Sequence, residues 1–93
     1  MNIKRFGVVI EGGEPGSGYS AYVPDLPGCI RAGETLDAVK RDIRSAIDAH
    51  IQWMVRDGEP VPEPRDIVPV EIPNASVTFV DVDIPHAPKS MEA

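Results

Sequence analysis

Ninety-three residues, 42 % apolar and 26 % charged, allow one small domain and leave too little chain for two separate cores. Fifteen acidic against nine basic residues give a net charge of −6, which has no general attraction to a phosphate backbone and disfavours a primary nucleic-acid binder. The longest apolar runs are a few residues, far short of a bilayer span.

Lys4-Arg5 precede a short apolar run, but that run stops at Glu11, too soon for a secretory leader. The single cysteine, Cys29, has no internal disulfide partner, so the expected compartment is a reducing cytoplasm. Phe6-Gly7-Val8-Val9-Ile10 is a β-rich run that places Phe6, Val8 and Ile10 on one face. Residues 11–18 are dense in glycine and make a hairpin loop; they lack the Lys-Ser/Thr pair and the following helix of a phosphate cradle. Tyr19-Ser20-Ala21-Tyr22-Val23 alternates as a second, antiparallel strand and ends at Pro24, which cannot donate to a ladder. Pro24-Asp25-Leu26-Pro27-Gly28 is a compact turn, and Cys29 to Ala32 a short third strand closed by Gly33-Glu34.

Thr35 offers a capping hydroxyl and Asp37 a first-turn negative charge to a helix. Leu36, Val39, Ile43, Ile47, His50, Ile51 and Met54 recur at three and four and form its apolar stripe. Asp37 with Arg41, and Arg44 with Asp48, stand at i, i+4 and are expected to pair weakly. Gly58 stops the helix and Pro60 prevents its continuation. The alternating prolines from Glu59 to Pro64 make an extended strap, near polyproline II. Residues 76–84 are the last β-rich run, before Pro85. The order β-β-β-α-β predicts an α+β fold, an antiparallel sheet with one helix across one face. Residues 1–84 form that single domain, with the Pro-rich strap at 59–75, and 85–93 a flexible tail. So small a core and its exposed sheet edges favour self-association.

The charge is unevenly placed. Residues 1–34 hold three bases and four acids, residues 35–57 four of each, and residues 58–93 two bases against seven acids. Five of the six net negative charges therefore lie beyond the helix, with seven of the ten prolines. Candidate chemistry is sparse. His50 lies in the apolar stripe without a second ligand at a zinc-binding interval and is read as a packed or interface histidine. Cys29 lacks a nearby histidine and is read as a buried structural thiol. Asp81 and Asp83 share a strand face, but a two-metal nuclease needs further converging acids, and a solvated face is the favoured reading. No cofactor or metal is expected. Trp53 sits at the edge of the stripe, either a core flank or an interface anchor. Tyr22 points away from the face carrying Tyr19, Ala21 and Val23 and is available to a partner.

Taken together, the Tyr-rich strand running into Pro24-Asp25-Leu26-Pro27-Gly28-Cys29, then Gly33-Glu34-Thr35-Leu36-Asp37-Ala38, the amphipathic helix, and the stretch Asp57 to Pro64 resemble HicB-like antitoxins of toxin–antitoxin systems. The resemblance runs from about Phe6 to Pro64 and resumes loosely at the last strand. It implies a truncated ribonuclease H-like fold and a non-enzymatic role. The implied partner is HicA, a small basic toxin that cleaves mRNA with a histidine and whose active site and RNA-binding face the antitoxin covers. Many relatives add a C-terminal DNA-binding module. Here one strand and a short tail follow Pro64, with only Arg65 and Lys89 as bases, so direct DNA binding is not expected. The expected partner contacts are Tyr22, Asp25, Leu26, Trp53 and the strap acids Glu59, Glu63, Asp66 and Glu71, with the chain a homo-oligomer, dimer or tetramer. The alternative is a solitary homo-oligomeric module that binds another protein or a ligand without a toxin partner.

Overall fold

A computed structural model describes residues 2–65 and 75–85. Four strands, β1 (Ile3–Gly12), β2 (Tyr19–Tyr22), β3 (Ile30–Gly33) and β4 (Ser76–Asp83), form one sheet in the order β3-β2-β1-β4. All neighbours are antiparallel. The helix α1 (Leu36–Arg56) lies across one face, so the α+β architecture expected from the sequence is the one observed.

Strand β1 extends beyond the apolar run at both ends because β4 pairs with it from Ile3↔Asp83 to Ile10↔Ser76. That long ladder satisfies backbone groups that local sequence alone would leave open. The β1–β2 connection depends on Gly12, whose φ is +116°. A Cβ there would lie 2.3 Å from the carbonyl oxygen of Gly18, the same oxygen that accepts the Gly13 amide. Only a residue without a side chain fits this close approach.

The helix begins where Thr35 caps it, its hydroxyl accepting from the Ala38 amide at 3.1 Å. It ends in a Schellman arrangement, with the Glu59 amide donating to Met54 O and the Gly58 amide to Val55 O while Gly58 takes φ +74°. Val39, Ile43, Ala46, Ile47 and Ile51 are buried against Phe6, Val8, Ile10, Ala21, Val23, Val80 and Val82 from the sheet. Leu36 and Met54 sit at the ends of the predicted stripe, and Leu36 remains partly exposed. The predicted helix pairs Asp37–Arg41 and Arg44–Asp48 are replaced by a long Arg41–Asp42 contact of 3.7 Å. Exposed side chains have little enthalpic reason to hold an i, i+4 geometry.

The helix runs back toward the end of the sheet where β1 starts, and residues 59–65 dock there. Val61 packs on the core, Glu63 pairs with Lys4, and Arg65 reaches Asp25. By Ser76, opposite Ile10, the chain has returned to the other end, so β4 runs antiparallel to β1.

Candidate partner-binding surfaces

The turn after β2 is drawn inward by its own hydrogen bonds. The Leu26 amide donates to Val23 O at 3.0 Å and the Cys29 amide to Leu26 O at 3.0 Å. This places the Leu26 side chain in the core, 1 % exposed, with no surface to give a partner. Asp25 is likewise engaged within the chain: its Oδ2 accepts from the Arg65 amide at 3.1 Å and its Oδ1 from Arg65 Nε at 2.7 Å. Of these two expected contact residues, Leu26 anchors the turn in the core and Asp25 ties the turn to Arg65. Cys29, beside them, is buried, and burial raises its thiol pKa, which keeps it protonated and unreactive.

Of the strap acids, Glu59 is exposed and Glu63 is paired with Lys4. Asp66 and Glu71 lie outside the described residues, as do residues 86–93 of the expected tail. Trp53 is half exposed on the helix and packs edge-on against His50, ring centroids 6.4 Å apart. Together with Gly28, Cys29, Arg31, Ala46 and Ala49 they line a shallow cavity of ≈ 250 Å³ between α1 and β3.

The opposite, helix-free face of the sheet has a different character. Strand register aligns Ile30, Tyr22, Val9 and Val77 in one row across all four strands. Phe79 and Gly7 form the next row, followed by Asp81 with Arg5, then Asp83 with Ile3. Val9 is fully covered by this arrangement, whereas Ile3, Ile30 and Phe79 are about half exposed. Arg5 Nε donates to Asp81 Oδ1 at 2.8 Å, and this bond holds the Asp81 carboxyl below the usual carboxylate range. At the other end Ser20 donates to Glu11. Tyr22 therefore stands where its alternation placed it. Its neighbours Val9, Ile30, Val77 and Phe79 were signalled by the unbroken Val8-Val9-Ile10 run and by apolar residues on both phases of β4, since a strand covered on both faces loses its alternation.

Among the described residues no group of three or more His, Cys, Asp or Glu is disposed to hold a metal ion. No described helix is long and apolar enough to cross a membrane. The described surface presents an acidic and apolar sheet face and a Trp53-flanked cavity.

Comparison with known proteins gives these faces a context. The family profile for the HicB-like antitoxin of bacterial toxin–antitoxin systems matches residues 6–92. An uncharacterised 14.9 kDa protein of Haemophilus phage HP1 is 40 % identical over 73 residues, which are 74 % of this chain and 55 % of the phage protein. The chain thus spans about half the length of that relative. The N-terminal domain of the Burkholderia pseudomallei antitoxin HicB superposes with a TM-score of 0.72 at 30 % identity, covering 85 % of this chain and 98 % of that one. A chain of the HicA3 and HicB3 toxin–antitoxin complex superposes with a TM-score of 0.64 at 26 % identity, covering 85 % of this chain and 98 % of that one.

Proposed function

The chain belongs to the HicB-like antitoxin family, and from that premise we propose that it binds and neutralises a small basic, mRNA-cleaving toxin of the HicA type. The observation that carries the reading is the family match over residues 6–92; the toxin–antitoxin complex of a relative supports a toxin as the partner. Neutralisation works by occlusion: the antitoxin covers the toxin's active site and RNA-binding face and performs no chemistry of its own. A toxin that grips RNA carries positive charge, and a partner with net charge −6 is complementary to it. That complementarity accelerates encounter and rejects wrong partners more than it tightens the final complex.

The same charge opposes an approach to DNA phosphates, so the chain does not bind operator DNA by itself. It acts in the cytoplasm, where its target meets mRNA. It self-associates as a dimer or tetramer, and the two edges of the sheet, β3 and β4, give strand pairing a route.

Whether the neighbouring gene encodes a small basic protein, and co-expression with that protein, test the reading. The expected result is rescue of growth arrest and a complex that co-purifies. Growth arrest that persists beside a folded, self-associated chain would refute it and favour the toxin-free oligomeric module.

A further inference from the structure

Of the large apolar side chains that the described residues expose, Ile3, Ile30, Val77 and Phe79 all lie on the helix-free face of the sheet. Ile30, Val77 and Phe79 join Tyr22 and the covered Val9 in a belt that crosses every strand, while Ile3 lies beyond the Arg5–Asp81 row. Contiguous apolar patches on the order of a few hundred Å² mark interaction sites on small soluble domains. Two aromatic side chains, Tyr22 and Phe79, lie within it as the kind of rigid anchor that dominates binding energy. Charged residues rim the belt on both sides, as at a binding surface with an apolar centre and a polar edge.

Charge decides what covers it. On the strands of this face three carboxylates, Glu11, Asp81 and Asp83, stand against one guanidinium, Arg5. Arg5 is itself held by Asp81. Residues 35–57, which include the helix, carry four acids and four bases and are neutral. A second copy laid face to face on this surface would set negative against negative. A basic protein would find an apolar floor flanked by carboxylates.

We propose that the helix-free sheet face, centred on Tyr22, Ile30, Val77 and Phe79, is the docking surface for the basic toxin. The inference rests on the antitoxin reading and adds the face through which it works. The Trp53 cavity and residues 59–65 of the strap lie on the other side of the sheet and remain open to solvent in the complex.

The test measures the affinity of the purified neighbour-gene product for the wild-type chain and its variants by calorimetry. Phe79→Ala combined with Ile30→Ala is expected to weaken binding by at least ~30-fold, the loss typical of anchor truncation. Gln52→Ala, on the exposed helix face, leaves it unchanged. Amide chemical-shift changes in the wild-type complex, which need no variant to fold, should centre on β2 and β4. No binding by the wild-type chain would overturn the antitoxin reading itself. Normal binding by the double variant, or loss only with Trp53→Ala, would overturn the choice of face and leave that reading standing. A double variant that changes the oligomeric mass while binding the toxin normally would assign the belt to contacts between copies and overturn the inference too.

Discussion

Replacing Asp25 with alanine separates a structural role for this residue from a role in partner contact. Its carboxylate, with a side chain only 9 % exposed, receives two bonds from Arg65, one from the backbone amide and one from a guanidinium whose side chain is 49 % exposed. A bond between a backbone amide and a shielded carboxylate contributes about 1.5 kcal/mol. The half-exposed guanidinium contact is screened and contributes about 0.5 kcal/mol. Asp25→Ala removes both, for a loss of about 2 kcal/mol and a Tm lowered by roughly 10 °C in a chain of this size. Arg65→Ala keeps the amide bond and loses about 0.5 kcal/mol. Urea unfolding with both single variants and the double variant measures these terms, and amide exchange over residues 59–65 should rise in Asp25→Ala. Equal losses from the two single variants would refute the reasoning. So would full stability of Asp25→Ala together with lost partner binding, which would return Asp25 to the interface.

Other perturbations probe the core, the hairpin and the ion pair. Ile47 is fully buried at the centre of the helix–sheet contact, and Ile47→Ala should cost about 3–4 kcal/mol in urea unfolding. Gly12→Ala forces a Cβ against the Gly18 carbonyl at positive φ and should lose at least about 3 kcal/mol, read as a fall in Tm. The Arg5 bond depresses the Asp81 pKa in the folded state, so its stabilisation is present above the unfolded carboxyl value and is lost as pH falls through the folded one. Carboxyl NMR should find Asp81 titrating below ordinary aspartates, and Arg5→Gln should move it back up.

Local pattern made the elements legible. The three- and four-residue recurrence marked the helix, Thr35 and Gly58 its ends, and alternation the inner faces of β1 and β2. Partner chemistry was less legible because it depends on contacts between distant residues. The links Lys4–Glu63, Arg65–Asp25 and Arg5–Asp81 join segments far apart in the chain, and no local spacing announces them. Leu26 resembles an exposed turn residue until the hydrogen bonds of its turn direct it into the core. The row Ile30–Tyr22–Val9–Val77 exists only once four strands are in register, so only Tyr22 was visible from its own strand.

Neutralisation itself is measured most directly by titrating this chain into the proposed HicA-type toxin while that protein cleaves a labelled mRNA. Occlusion requires cleavage to fall to background at a fixed stoichiometry; docking through the helix-free face further predicts that cleavage returns when Phe79→Ala and Ile30→Ala are introduced together. Cleavage that continues unchanged in excess wild-type chain would contradict the account.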